Sequence, residues 1–398
     1  MHKIKKLACQ LKHGEPLLMG DNQGGDANNS LNKKISVFIP VYKHSDLLEE
    51  LLQKLVKDPY QNKEIFVTID KPSEETLKVV ECFRGKAHFI LSSQRRGKVE
   101  ALNEAVKLSS GEILVFIDSD VRLGGCENFL ETIALEMRET DILDIKKKII
   151  RDSFLSRMVT YEFIGSNFSS YLYSKIAQKC FAVGGTAFAI KREVFEEVGG
   201  FAKVVSEDLD LAAKAFLRNR RFKFANRIEV HTKVPSNWRS WLVQRKRWGI
   251  GTGLWMKAYG GKVVRYIARY PHLAFPCALM LFPTVALMLF NYVCSIFPEA
   301  QPFNFIPRAL ASQLNLSSTP ILSTPATSVL LITLTNLFLG FIAFSIIFYI
   351  ASKKLSFQFN LAEFVAYYFF YQPMSFFVLF AGILSGLLLK NHKLDWKL

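Results

Sequence analysis

The sequence predicts an α/β domain, built on a mostly parallel and doubly wound sheet, followed by a helical transmembrane region. Three observations carry that prediction. Short apolar runs alternate with amphipathic stretches through the first two thirds of the chain, the rhythm of successive strand and helix units. Two of those runs end directly on an aspartate, Asp70 and Asp118, at the carboxyl ends of strands where open α/β sheets keep their ligands. Beyond about residue 260 the character changes: 273–297, 329–351 and 364–389 are apolar with almost no charge, each reaching the roughly 20 residues that a helix needs to cross a bilayer.

Taken in order, residues 1–33 are basic at the start (Lys3, Lys5, Lys6) and polar from Gly20 to Ser30, a composition expected to be disordered. No continuous apolar segment precedes that stretch, so no secretory signal is expected and the catalytic part is placed in the cytosol. The segment 34–235 reads as one domain. Ile35 to Val41 forms a first strand and Asp46 to Lys57 carries apolar positions at helical spacing. Glu64 to Ile69 is a second strand ending at Asp70, and His88 to Leu91 a third, followed by Gly97 and a helix over Lys98 to Leu108. The run Ile113 to Ile117, bounded by Gly111, is a fourth strand that delivers Asp118 and Asp120 to solvent. Phe181 to Ile190 is strand-like around the pair Gly184-Gly185, where backbone can approach a ligand closely. Glu193 to Val198 makes a short helix capped by Gly199-Gly200. Ser206 can cap the next helix, whose first turn carries Glu207 and Asp208; acids there also serve simply to complement the helix dipole. Residues 236–268, rich in Arg and Trp, lead to the apolar region 269–398 with about three spans.

The chain has 398 residues, 34 of them Phe, which is enough for a substantial core and more than one domain. Its net charge of +16 gathers at Lys146 to Lys148, Arg218 to Lys223 and Arg239 to Arg247. No nucleic-acid module accompanies these clusters and the last lies just before the first span, so anionic lipid headgroups, not nucleic acid, are the expected partner. The six cysteines show no paired metal-ligand spacing, which fits a reducing compartment without a zinc site.

Asp118-Ser119-Asp120 offers oxygen ligands of the kind that Mg²⁺ or Mn²⁺ takes, few in number and completed by water and substrate phosphates. A bare Asp-x-Asp also fits a polar strand end; its company decides. That company is Pro40-Val41-Tyr42, Asp70, Arg96-Gly97-Lys98 with Asn103, Ser206-Glu207-Asp208, and Gln244-Arg245-Lys246-Arg247-Trp248. In this order, ahead of membrane spans, these motifs resemble the membrane-bound family 2 glycosyltransferases, the group of cellulose, hyaluronan and poly-N-acetylglucosamine synthases. The resemblance covers roughly residues 34 to 260, and Gln-x-x-Arg-Trp combined with an upstream Asp-x-Asp is its most specific part.

The resemblance implies a GT-A fold and inverting transfer from a nucleotide sugar, usually a UDP-sugar, with Mg²⁺ or Mn²⁺. Pro40 and Asp70 then belong to the nucleotide pocket, Asp70 as the acid that reads uracil. Lys98, in Gly97 to Asn103, approaches the nucleotide; Asp118 lies near ribose and metal; Asp120 is the direct metal ligand. Asp208 matches the general base. Glu207, Gln244, Arg247 and Trp248 match the elements holding the diphosphate and the acceptor. Trp238 and Trp255 fit an interfacial anchor and a sugar-stacking position equally, whereas Trp248 is assigned to the site. The chain departs from the family at Lys43-His44, where Asn-Glu is common, and at Asp70-Lys71-Pro72-Ser73, where Asp-Gly-Ser is usual. His44 is expected to be a solvent-exposed residue leading the helix.

The expected product is a growing polysaccharide made at the cytosolic face of the cell membrane; the alternative is one transfer to a lipid or polyprenyl-phosphate acceptor. Three intact acidic motifs speak against a non-catalytic scaffold. Spans nearly free of charge, apart from Glu363 at an edge, speak against a transporter. Positive-inside logic puts Lys353-Lys354 in the cytosol with the catalytic domain, while the basic tail after Lys390 would fall outside. A re-entrant element within Pro302 to Thr324, or a break at Pro373, would reconcile the two.

Overall fold

The structure is a computed structural model that describes residues 33–125, 127–235, 237–274 and 325–388. The chain runs β1 (Ile35–Tyr42), α1 (Leu48–Lys57), β2 (Lys63–Asp70), α2 (Glu74–Cys82), β3 (His88–Ser92), α3 (Lys98–Leu108), β4 (Ile113–Ile117), β5 (Val121–Gly124) and α4 (Phe129–Glu136). It continues through β6 (Ile142–Ile149), α5 (Phe154–Ile176), β7 (Ala187–Lys191), α6 (Arg192–Glu197), α7 (Glu207–Leu217), β8 (Phe222–Thr232) and the long α8 (Trp238–Arg269). After the break come α9 (Pro325–Leu355), α10 (Leu361–Ala366) and α11 (Gln372–Leu388).

Eight strands form one sheet in the order β3-β2-β1-β4-β7-β6-β8-β5. Its first half is parallel, as the alternation of runs predicts: β1 lies between β2 and β4, with β3 outside β2. Its second half is mixed. β7 runs antiparallel to both β4 and β6, and β5 antiparallel to β8, while β6 and β8 are parallel. The architecture is therefore a GT-A-like mixed sheet with helices, and the expectation of a mostly parallel sheet holds for half of it. Only Ala187–Lys191 of the strand-like stretch 181–190 pairs; the residues before it form an irregular loop. Because β7 begins where β4 ends, Ile117 pairs with Ala187 and the Asp118 N–H donates to Thr186 O at 2.9 Å. The Gly184-Gly185 loop is thereby laid beside the aspartates.

Burial on both faces explains why the strands read as unbroken apolar runs. Side chains of β4 alternate between two cores: Leu114 and Phe116 point into one, Ile113, Val115 and Ile117 into the other. Phe66, Phe38, Phe116 and Phe188 stack across four neighbouring strands at centroid separations of 5.6, 5.1 and 5.2 Å. At the other end of the strands Glu64 staples the sheet. It accepts from Lys34 at 2.8 Å, Ser36 Oγ at 2.6 Å, and the N–H groups of Ser110 at 2.7 Å and Gly111 at 3.1 Å. Burial alone would raise its carboxyl; these partners instead pull it down to about 2.

A third core joins α5 to α9, α10 and α11. The expected break at Pro373 takes another form: the helix widens into a π turn over Tyr367–Tyr371 and then continues, which accommodates a residue with no N–H to give. Among the described residues, the segment Leu361–Leu388 is long and apolar enough to cross a membrane by length and composition. The expected span 329–351 falls inside α9. The span 273–297 beyond Ala274, the segments 1–32 and 302–324, and the tail from 389 lie outside the described residues. Glu363 sits beside α5, paired with Arg151 and, at 3.6 Å, with Arg157.

Candidate functional site

The ten residues given roles in donor, metal, base or acceptor binding line one cleft of about 1290 Å³ beyond the carboxyl ends of β1, β2 and β4. Parallel pairing puts Tyr42 and Asp70 level with each other at its mouth. The buried Asp70 carboxylate accepts from the Gly97 N–H at 2.8 Å and from Arg96 Nε at 3.2 Å. Gly97, at φ 94°, turns the chain into α3 in a conformation that suits glycine. Lys43 and Lys71, the residues just after β1 and β2, also have positive φ, 61° and 54°, a strained geometry that clusters at ligand sites. Arg95 lies with its guanidinium carbon 3.9 Å from the centroid of the half-exposed Tyr42 ring. Tyr42 belongs to the first motif, whereas Arg95 was not singled out in the sequence. Asn103 does not reach the cleft: it exchanges hydrogen bonds with the backbone of Phe201, at 2.9 and 3.1 Å, and so fastens α3 to the loop before α7. His44 is exposed, as expected, near Thr76 and Asp46.

Four charges meet at the end of β4. Lys98 Nζ donates to Asp118 Oδ1 at 2.8 Å and stands 3.3 Å from Glu207 Oε1. Burial would lower the Lys98 ammonium, but the charges of Asp118 and Glu207 more than reverse that and hold it above its ordinary value. Asp120 keeps an open edge toward the cleft although protein surrounds its carboxyl. Loss of solvent, then the charge of Asp118, push it up to about 6. Two carboxylates in one recess, one of them reluctant to ionise, form an end of the cleft that is short of positive charge. Among the described residues no group of three His, Cys, Asp or Glu is arranged to hold a metal ion, which leaves the two aspartates as the candidate ligands. Such a pair fits Mg²⁺ or Mn²⁺, which take one or two carboxylates and complete their shell with water and phosphate.

Asp208 lies in the first turn of α7. Its Oδ2 accepts from the Gly185 N–H at 2.8 Å and its Oδ1 from the Leu209 N–H at 2.8 Å. Ser206 occupies the N-cap position but makes no side-chain cap bond, contrary to expectation; Asp208 itself folds back on the helix terminus. Burial, then the neighbouring Glu207 charge, raise the Asp208 carboxyl to about 6. Asp210, by contrast, is engaged structurally, paired with Lys214 at 2.7 Å and accepting from Tyr259 Oη at 2.7 Å.

The opposite wall is the start of α8. Arg247 is exposed, and Gln244 Oε1 accepts from Arg245 Nη1 at 3.0 Å. Trp248 is 39% exposed, with the Arg245 guanidinium 4.2 Å from its ring centroid. Arg245 is fully buried and ion-paired with Glu162 of α5, whose other oxygen accepts from Ser375 Oγ of α11 at 2.6 Å. Arg245 stands in the motif with no role of its own and Glu162 was not named; the one available signal for Glu162 was a carboxylate alone within the long, largely apolar α5. The basic run Lys146 to Lys148 is not the surface cluster expected of it. Strand pairing buries Lys146 and Lys147, the first with Glu229 at 3.1 Å and the second with Asp144, a pair that also reaches the cleft wall. Trp255 is buried and donates Nε1 to Leu209 O at 3.1 Å, so it is neither interfacial nor sugar-facing, whereas Trp238 is exposed.

Residues 113–384 match the profile of the family described as Glycosyl transferase family group 2. The Probable glycosyltransferase YdaM of Bacillus subtilis (strain 168) is 26% identical over 241 residues, covering 55% of this chain and 55% of that protein. The poly-beta-1,6-N-acetyl-D-glucosamine synthase of Staphylococcus aureus (strain MSSA476) is 21% identical over 284 residues, 69% of this chain and 67% of that one. The match thus spans about half the length of the former and two thirds of the latter. Among solved structures, the mannosyltransferase PcManGT from Pyrobaculum calidifontis, in complex with GDP-Man and Mn²⁺, superposes with a TM-score of 0.48 at 19% identity, over 84% of this chain and 94% of that one.

Proposed function

Since the chain belongs to the group 2 family of glycosyl transferases, we propose that it is a membrane-bound inverting enzyme that moves a sugar from a UDP-sugar to a growing polysaccharide at the cytosolic face. The observation that carries this reading is a carboxylate raised to about 6, Asp208, on the same cleft as the Asp118–Asp120 pair and a half-open Trp248 ring.

The nucleotide end is assigned to Pro40, Asp70, Lys98 and Asp118. The two Asp70 oxygens each hold one donor and keep a second lone pair for the base edge. Asp120, with Asp118 beside it, would hold Mg²⁺ or Mn²⁺, which when bound supplies charge neutralisation for the diphosphate. Lys98 and Arg247 add fixed positive charge where the departing diphosphate develops negative charge. Asp208 takes the proton of the acceptor hydroxyl as that oxygen bonds to the anomeric carbon, while the bond from that carbon to the diphosphate oxygen breaks and UDP departs. A carboxyl near 6 is ionised at neutral pH yet basic enough for that task. Gln244 and Trp248 line the acceptor side, the indole giving a flat apolar face to a sugar ring.

Membrane attachment is supported by the helix over Leu361–Leu388 and by apolar side chains left exposed on α9 to α11, among them Phe338, Phe370, Phe377 and Leu388. The N-acetylglucosamine polymer named for the staphylococcal relative makes UDP-N-acetylglucosamine the first donor to test. The protein in nanodiscs, with Mn²⁺ or Mg²⁺ and labelled UDP-N-acetylglucosamine, is expected to yield a long product on sizing. A small lipid-soluble product would replace the polysaccharide with a lipid acceptor.

A further inference from the structure

Helix α8 touches α7 along one stripe and α11 along another. On the first stripe Gly251, Trp255 and Tyr259, spaced four apart and so aligned on one face, meet successive groups of α7. A Cβ at Gly251 would overlap Ser206 Oγ, Trp255 Nε1 donates to Leu209 O at 3.1 Å, and Tyr259 Oη donates to Asp210 Oδ1 at 2.7 Å. These three contacts bracket Asp208 in sequence. On the second stripe Gly249 and Gly253 meet Gly382 and Gly386 of α11. A Cβ at Gly382 would lie 2.9 Å from Gly249 Cα, and one at Gly386 would lie 3.1 Å from Gly253 Cα. Helices in such backbone contact have no side-chain cushion between them, so their separation is fixed by the backbones themselves.

We propose that the Gly251–Trp255–Tyr259 face of α8 is a positioning surface for Asp208, through which the apolar helix α11 sets where the carboxylate stands in the cleft. The inference rests on the reading of Asp208 as the base. Gly251 is the pivotal position because it lets the start of α7 lie directly on α8. Its replacement by alanine is favourable for the helix itself, by about 1 kcal/mol on intrinsic propensity, so any loss must come from the displaced neighbour. A shift of the reacting group of about 1 Å can cost on the order of 10²-fold in rate.

The test is a cycle of Gly251→Ala, Ser206→Ala and the double variant, in nanodiscs with UDP-N-acetylglucosamine and Mn²⁺, with Tyr259→Phe and Asp208→Asn in parallel. Gly251→Ala is expected to lower kcat at least tenfold with donor KM within about twofold. The double variant, compared with Ser206→Ala as its background, should lose far less, because the overlapping hydroxyl has gone. Tyr259→Phe, which introduces no overlap, should lower kcat in the same direction and to a smaller extent. Normal kcat in Gly251→Ala, or an equal loss on both backgrounds, overturns the positioning surface while an inactive Asp208→Asn leaves the base in place. Turnover retained by Asp208→Asn overturns the base reading, and the positioning role with it.

Discussion

The backbone N–H of Gly185 donates to Asp208 Oδ2 at 2.8 Å, tying the loop before β7 to the first turn of α7. A Cβ at position 185 would stand 2.6 Å from that same oxygen, so only glycine lets the loop come so close. Gly185→Ala is therefore expected to displace the carboxylate and lower kcat by roughly ten- to a hundredfold. Donor KM should change little, and steady-state UDP release measures both. An unaltered kcat would mean that the loop does not hold the reacting group.

The raised Asp208 carboxyl predicts an acid limb in kcat/KM with a midpoint near 6, since the base must be ionised to act. The same shift has a stability consequence. A carboxyl raised above its ordinary value of 3.8 lets the folded chain keep a proton that the unfolded chain releases. Its contribution to stability is present below that value and is lost as pH rises through about 6. Asp208→Asn escapes the loss. The Tm of the variant should rise relative to the parent between those two pH values, while its turnover is abolished. A constant Tm difference across that window contradicts the raised carboxyl.

Glu64 has the opposite sign. Its carboxyl, held down at about 2, contributes stability that is present above its ordinary value of 4.5 and is lost as pH falls toward 2. Glu64→Gln should destabilise the protein near neutral pH by about 1–3 kcal/mol. The two proteins should converge in Tm as pH falls below 4.5 toward 2. A difference that persists at the acid end would place the loss in packing and not in the charge.

The buried Arg245 pairs with the partly buried Glu162 under Trp248, and truncating one partner strands the other. Arg245→Met is expected to cost about 3–5 kcal/mol, with part recovered when Glu162→Gln is added. In the double variant, the KM for acceptor should rise more than the KM for donor, because the Trp248 ring has lost the guanidinium beneath it. Equal changes in both would remove Trp248 from the acceptor side.

The parallel half of the fold was legible because apolar runs, helices and terminal aspartates recur there in fixed order, and strand β2 ends on Asp70 as its sequence implies. The direction of β7 was not. Ala187–Lys191 is apolar on both faces, and a strand buried on both faces reads the same whichever way it runs. Lys146 and Lys147 misled for a related reason: sequence shows a run of charge, whereas Glu229, the partner of Lys146, is known only once β6 and β8 pair, and Asp144 of β6 pairs with Lys147 across the register shift between Ile145 and Lys146. Arg245 was hidden inside a motif whose neighbours Gln244 and Trp248 were recognised, since nothing local tells which arginine faces Glu162. Asn103 shows the converse, a motif residue whose work is to fasten a loop.

The most direct test of the glycosyl-transfer reading is UDP release by the purified protein in nanodiscs, with a panel of UDP-sugars headed by UDP-N-acetylglucosamine and with Mn²⁺ or Mg²⁺. Asp120→Asn and Asp208→Asn serve as folded controls. Release from at least one donor, dependent on the divalent ion and lost in both variants, is the predicted result. Release that is indifferent to the ion, or that persists in either variant, contradicts the assignment of the carboxylates to metal and base.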